Sequence, residues 1–334
     1  MSYSAKITGV GSYAPEKILT NFDLEKMMDT SDEWISTRTG IRERHIAAPE
    51  EATSDMAYHA SVDALAMARL RGEDVDGILV GTVTPDMPFP SAACFLQERL
   101  GAERAAALDI SAGCTGFLYA LHLGASLIAS GAHERLLLVG AETTSRMLDW
   151  SDRSTAVLLG DGAGAVVMER ARDGDPTVYS THIGADGRLW ELLHMPAGGS
   201  RHPASADTVR EHLHSFKMRG NSTFKQAVEI MEGASERALE KAGLTLDDID
   251  VVIPHQANLR IIKALANRME IPEEKVAVIV DRYGNTSSAT CPMALADLAR
   301  EGRVKRGDKI LMVSFGAGLT WGAAVFGWGA ETEG

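Results

Sequence analysis

The chain has 334 residues, 45% of them hydrophobic and 24% charged, with a formal net charge of -13. That length and composition suit an ordinary soluble globular protein, built as one large domain or two intimate halves. The negative charge argues against nucleic acid and anionic membrane as partners, so an acidic protein partner would have to dock on a local basic patch. Three cysteines, Cys94, Cys114 and Cys291, are too few for a disulfide scaffold and lack the paired spacing of a zinc site. A reducing, cytoplasmic setting without a metal is expected. Met1-Ser-Tyr-Ser-Ala-Lys-Ile has no basic stretch leading into an apolar run, and the most apolar long segment, Cys114 to Ser130, is broken by His122, Ser126 and glycine. Neither a signal peptide nor a membrane span is expected.

Residues 5–14 (AKITGVGSYA) read as a short strand whose glycines do not match the dinucleotide fingerprint, and Asn21 to Met28 as a helix capped by Asn21. The stretch 31–46 gathers Trp34, Arg38, Arg42 and Arg44 among turn formers. A flat ring beside a cation suits a nucleotide with phosphates, and equally suits surface cation-π packing. Ser54 to Arg71 is an amphipathic helix, DGILVGTV (76–83) a buried strand, and 85–100 a proline-rich turn opening a second helix, with Phe89 held between two prolines.

Next, ALDISAGCTGFLYA (107–120) runs a strand pattern through a tight small-residue turn and presents Cys114 at the first turn of a helix. Unpaired N–H groups and the helix dipole there favour an anion, so the thiol is expected to ionise more easily than a free one. The same cysteine could also be an inert core residue. ERLLLVGAE (134–142) is a further buried strand, 149–155 a polar loop holding Arg153, and GDGAGAVVME (160–169) a glycine turn entering a strand. Beyond Arg170, residues 173–215 look polar and irregular, with His194, His202, His212 and His214 on the surface at no metal-ligand spacing. A long helix (221–241) precedes DIDVVIPHQAN (248–258), a helix over 259–269, a strand VAVIV (276–280), the turn DRYGNTSSAT (281–290), a helix through Arg300, and strands in 309–318 and 323–328.

The order repeats. A strand at Ile78 precedes Cys114 by about 36 residues and one at Leu136 follows by about 22; a strand at Val251 precedes Ser287 by about 36 and one at Ile310 follows by about 23. Two superposable α/β halves, residues 1–172 and 173–334, are expected. Their strand ends would bring Cys114, His255 and Asn285 to one cleft, His255 lying at the carboxyl end of the VVIP strand, where open α/β sheets collect ligands. Asn285 taken alone is ordinary turn chemistry.

DEWISTRTGI, FPSAAC, DISAGCTGF, DRSTAVLLGDGAGA, IPHQANLRII, GNTSSAT and SFGAGLTWG follow one another in the order of the thiolase-fold condensing enzymes, and the chain most resembles their β-ketoacyl-acyl-carrier-protein synthase III family. The resemblance spans essentially the whole chain. It implies a five-layered α-β-α-β-α fold of two similar halves with mixed sheets around shared buried helices. It implies Cys114 as acylated nucleophile with His255 and Asn285 completing a triad, and Phe315, Gly316 and Ala317 as wall and oxyanion site. Trp34 and Arg153 would flank the adenine of coenzyme A, Arg38 would meet its phosphates, and Asn258 would contact the pantetheine arm. Phe89 would cross a homodimer interface to close the partner's acyl pocket. The partners implied are a short acyl-CoA, as substrate and not cofactor, and acyl carrier protein.

On the helix from Leu259, Ile261, Ile262, Leu265, Ala266 and Met269 share one side while Arg260 and Lys263 share the other. With Lys225, Lys217 and Arg219 near in sequence, this is a candidate carrier-protein patch, although such a stripe also suits plain solvated surface. Related readings fit less well. A plant-type polyketide synthase would end in GFGPG where this chain has SFGAG, a hydroxymethylglutaryl-CoA synthase would need a catalytic glutamate, and a thiolase a second active cysteine where Gly316-Ala317-Gly318 stands. A papain-like hydrolase shares only the residue types, and a non-catalytic acyl-binding subunit would not need all three. Cys291 reads as packing.

Overall fold

The structure is a computed structural model that describes residues 3–330; Met1 and Ser2, at the head of the segment read above for a leader, lie outside the described residues. The strands in chain order are β1 (Ala5–Tyr13), β2 (Lys17–Thr20), β3 (Glu43–Ile46), β4 (Gly77–Gly81), β5 (Ala106–Ile110), β6 (Arg135–Glu142), β7 (Gly162–Arg170), β8 (Val178–Ala185), β9 (Leu193–His194), β10 (Lys217–Met218), β11 (Val251–Pro254), β12 (Lys309–Gly316) and β13 (Thr320–Gly327). The α-helices are α1 (Asn21–Glu25), α2 (Asp32–Thr39), α3 (Thr53–Ala68), α4 (Ala92–Arg99), α5 (Gly116–Ser130), α6 (Ala206–Arg210), α7 (Gly220–Ala242), α8 (Leu259–Arg268), α9 (Val280–Tyr283) and α10 (Thr290–Arg300).

Strands that are buried on both faces can be apolar throughout, and that is how β4, β6 and β12 read. One sheet runs β1-β7-β6-β4-β5 and the other β11-β12-β13-β8. Within the first, β4 lies parallel to β5 and β6, and β7 antiparallel to β6 and β1; within the second, β11 lies parallel to β12, and β13 antiparallel to β12 and β8. The two sheets therefore repeat one topology, and both are mixed.

Helices α5 and α10 lie between the sheets, α3 and α4 cover the outer face of the first, and α7 and α8 that of the second. This is the five-layered arrangement the resemblance implied. Residues Thr290–Ala299 of α10 are all buried, as a central layer requires. Among the described residues one stretch, Gly113–Ser130, is long and apolar enough by composition to cross a bilayer; it is α5 with its lead-in turn, packed between the sheets.

Four local expectations change. The cap of α1 is Thr20, reciprocally bonded with Asp23, whereas Asn21 is buried and bonds Ile41 O and Arg44. Arg44, too, is fully buried, its guanidinium donating to Leu19 O, Asn21 Oδ1 and Val157 O, so it is a structural residue and not part of a nucleotide site. The stretch 276–280 forms no strand: Gln256 takes Ala277 O and Ile279 N on its side-chain amide, leaving a single bridge between Val252 and Val276. The counterpart of β5 is thus missing from the second sheet. Conversely, β8 lies inside the region read as irregular; an edge strand carrying Ser180, Thr181 and His182 offers no continuous apolar run. Leu19, Leu24, Ile35 and Ile41 of the first half pack into the core of the second sheet, which sets α2 against α8 at the mouth of the site.

Candidate active site

The close approach of the halves starts from two glycines. Gly113 has φ +55°, and a Cβ on it would meet Ala317 N at 2.6 Å; a Cβ on Gly316 would meet Cys114 N at 2.5 Å. Only glycine permits both the left-handed turn and this backbone contact. The end of β12 is thereby pressed against the nucleophile turn, and Ser314 Oγ fastens it by donating to Cys114 O at 2.9 Å. Cys114 sits in a 3-10 turn (Gly113–Thr115) that leads into α5, one step ahead of the α-helix proper.

A pocket of about 500 Å³ opens over this sulfur. Its walls include Cys114, His255, Asn285, Phe315 and Ala317 at the base, and Trp34, Arg38, Asn258 and Arg260 towards the mouth. The expected triad is therefore brought together from three different turns, and Phe315 and Ala317 stand beside it.

Each polar member is oriented by a neighbour. His255 is 3% exposed, and its Nδ1 lies 2.7 Å from Thr290 Oγ1. Burial pushes its pKa down to about 3, so the imidazole is neutral. Thr290 Oγ1 also reaches Ser287 O at 3.0 Å, so rotation of one hydroxyl lets His255 Nδ1 either donate or accept, and Nε2 take the complementary role. Asn285 Oδ1 accepts from Ser287 N at 2.9 Å, which fixes the amide and leaves Nδ2 as the donor. Its backbone is held in place by Leu158 O and Gly160 N.

The thiol departs from expectation. Burial pushes the Cys114 thiol up to about 11, and the Glu142 carboxyl adds to the rise. At neutral pH the sulfur carries its proton despite the helix end beneath it. Cys291 is buried in α10 and its thiol is pushed up to about 12, in keeping with packing.

At the mouth, both Arg38 and Arg153 lie over the Trp34 ring, 4.9 and 5.2 Å from its centroid, and Arg153 is tethered to Asp29 O at 2.6 Å. Flanking an adenine with Trp34 and Arg153 would require the Arg153 guanidinium to lift from the ring. Asn258 caps α8 through Arg260 N and donates to Arg38 O, joining α2 to α8 with one amide hydrogen to spare. Phe89 is 83% exposed and lines no part of this chain's own pocket. Lys225, Arg260 and Lys263 are exposed on the neighbouring helices α7 and α8, with no ion-pair partner among the described residues; Arg260 lies over the Phe224 ring at the pocket rim. Lys217 and Arg219 instead pair with Asp149 and Glu191. His194 half-lines the pocket and is not a surface residue. Among the described residues no cluster of His, Cys, Asp and Glu could hold a metal.

Three residues have no functional role in the sequence reading: Ser287, Thr290 and Glu142. The two hydroxyls were hidden in the turn string SSAT. Glu142 had left a trace, a carboxylate ending an otherwise apolar buried strand.

Comparison with known proteins covers nearly the whole chain. The family profile described as 3-oxoacyl-[acyl-carrier-protein (ACP)] synthase III matches residues 108–187, and the one for the C terminal of the same enzyme matches 239–328. The beta-ketoacyl-[acyl-carrier-protein] synthase III of Caldanaerobacter subterraneus is 54% identical over 325 residues, covering 97% of this chain and 98% of the relative. The crystal structure of 3-oxoacyl-[acyl-carrier-protein] synthase III from Aquifex aeolicus superposes with a TM-score of 0.89 at 49% identity, covering 97% of this chain and 100% of that one. The priming beta-ketosynthase of the R1128 polyketide pathway superposes at 0.90 with 36% identity, covering 98% and 97%. The chain belongs to the β-ketoacyl-[acyl-carrier-protein] synthase III family of thiolase-fold condensing enzymes.

Proposed function

We propose that the chain joins a short acyl-CoA to malonyl-acyl-carrier protein by decarboxylative condensation, through an acyl group carried on Cys114. The observation that carries this reading is the convergence of one sulfur, one neutral imidazole and one oriented amide donor at the base of a single pocket. The sulfur attacks the thioester carbon, with the Cys114 and Ala317 N–H groups beside the developing oxyanion, and coenzyme A leaves. Malonyl-acyl-carrier protein then enters. His255 Nε2–H and Asn285 Nδ2–H donate to its thioester carbonyl, the carbon–carboxylate bond breaks, and its electron pair becomes an enolate without any strong base. The enolate carbon attacks the acyl group, forming the new carbon–carbon bond and releasing the Cys114 sulfur. Buried Phe315 excludes water where carbon dioxide departs. Loss of carbon dioxide itself supplies the carbanion, so the reading assigns no resident cofactor.

Lys225, Arg260 and Lys263 are assigned to docking of the acidic carrier protein, because they are unpaired cations at the rim through which its phosphopantetheine arm must pass. Incubation with acetyl-CoA and malonyl-carrier protein, read by mass spectrometry of the carrier protein, should give the 3-oxobutanoyl product. In Arg260→Glu this output should drop about tenfold, while acylation of Cys114 by acetyl-CoA stays at the parental rate. Absence of the product with the parent protein would refute the function, and equal loss of both steps the docking assignment.

A cytoplasmic homodimer completes the proposal. Edge strand β5 carries Leu108 at 42% exposure, and Phe89 projects from the same half, so a second copy is the natural cover for both. Light scattering should give twice the chain mass; the mass of a single chain would leave Phe89 with no pocket to close. The same site could prime a polyketide pathway, as the relative at 36% identity is described as doing; the choice of primer would separate the two roles.

A further inference from the structure

The thiol proton has no obvious destination. Cys114 holds it firmly, and His255 is a poor acceptor because burial keeps its ring neutral down to about pH 3. Ser287 is the only side chain that hydrogen-bonds Cys114 Sγ among the described residues, with its Oγ 3.5 Å away; the same Oγ lies 3.0 Å from Glu142 Oε1.

The surroundings of Glu142 say which way that hydroxyl points. Oε2 receives Thr82 Oγ1 at 3.2 Å, Val83 N at 3.1 Å and Thr84 Oγ1 at 2.7 Å. Thr82 Oγ1 already accepts from Thr84 N, and Thr84 Oγ1 from Thr143 N, so both hydroxyl protons are turned towards the carboxyl. Donors on every side favour the carboxylate, against the burial that raises its pKa. Oε1 lies 3.0 Å from Ser287 Oγ, whose single proton is directed to Glu142 and whose lone pairs face the thiol S–H, while the neighbouring Ser288 hydroxyl donates to Gly81 O. Burial raises the pKa of Glu142 and so suits it to hold a proton. The groups facing it are Thr82, Val83, Thr84, Ser287, Ser288 and, through Ser287, Cys114, which is the one other titratable group among them.

The backbone supports the same reading. Ser287 has φ +53°, a left-handed conformation that a non-glycine residue adopts at a cost, and its N–H is held by Asn285 Oδ1. The strained residue is the one that joins sulfur, amide, imidazole partner and carboxylate.

We propose that Ser287 and Glu142 form a proton relay for Cys114. As the sulfur–carbon bond to the acyl group forms, the thiol proton passes to Ser287 Oγ and the Ser287 hydroxyl proton passes to Glu142 Oε1. The carbon–sulfur bond to coenzyme A breaks, and the departing thiolate takes a proton from solvent. Glu142 stays protonated while the acyl-enzyme exists. When the enolate displaces the Cys114 sulfur as a thiolate, the proton returns through Ser287 and restores thiol and carboxylate. Ser287 is a catalytic residue in contact with the reacting sulfur; Glu142 acts through it.

The inference rests on Cys114 being the acylated residue. The test is single-turnover acylation of Cys114 by acetyl-CoA across pH 6 to 9, followed by intact mass, with malonyl-thioester decarboxylation measured alongside. Glu142→Gln can keep its carbonyl on Thr82, Val83 and Thr84 while turning its NH2 towards Ser287; Ser287→Gly removes the hydroxyl and accepts the left-handed backbone. Both variants should acylate about 100-fold slower at pH 7, with the deficit shrinking towards pH 9 as hydroxide replaces the relay, and Glu142→Gln should keep decarboxylation within about twofold of the parent. Parental acylation rates in both variants, a deficit independent of pH, or an equal fall in decarboxylation in Glu142→Gln would overturn the relay. If the parent itself gains no acyl group on Cys114, it is the assignment of the nucleophile that fails.

Discussion

Cys114→Ala should lose condensation by about 10⁴-fold or more, because no other described group at the base of the pocket can carry the acyl chain. Cys291, the other buried thiol, sits in α10 with its pKa pushed up to about 12 and among the described residues bonds only Thr290 and Val313 O. The variant should nevertheless still decarboxylate malonyl-carrier protein, since His255 and Asn285 are positioned by Thr290, Ser287 and Leu158 and not by the sulfur. Product assays and carbon dioxide release, measured on the same sample, check both halves of this expectation. Retained condensation would place the nucleophile elsewhere.

His255→Ala should do the reverse. Removing one of two donors to the enolate oxygen in a water-poor site should lower decarboxylation by about 10² to 10³-fold, while the rate at which acetyl-CoA acylates Cys114 changes little. The pH dependence carries a sign. The folded pKa of His255 is depressed by burial, so its donor form is neutral from about pH 3 upwards. Decarboxylation by the parent should therefore be flat between pH 5.5 and 8, with no inflection near the ordinary histidine value of about 6.5. A rate that rises or falls around that value would mean a histidine that titrates, and so a different role for it.

What the sequence disclosed follows from what leaves a local signature. β4, β6 and β12 are apolar runs because both faces are covered, and two such series at matching distances expose the repeated halves. His255 follows the run VVIP, and Cys114 sits between glycines that the chain needs for the contact between Gly113 and Ala317. β8 leaves no apolar run because an edge strand tolerates Ser180 and Thr181, and 276–280 reads as a strand although Gln256, some twenty positions earlier, claims its backbone groups. The ionisation of Cys114 was misjudged for a similar reason. The helix beneath it is local, whereas the burial and the Glu142 carboxyl that push the thiol up come from other segments. Ser287 and Thr290 look like turn residues until the fold sets one against a thiol and the other against an imidazole.

The most direct test of the central claim is to expose the protein to acetyl-CoA with no malonyl donor, weigh it intact and map the modified peptide. One acetyl group should be added per chain, on the peptide containing Cys114, and be lost as 3-oxobutanoyl product once malonyl-carrier protein is supplied. A folded, reduced protein that gains no acetyl group, or gains one on another residue, would contradict it.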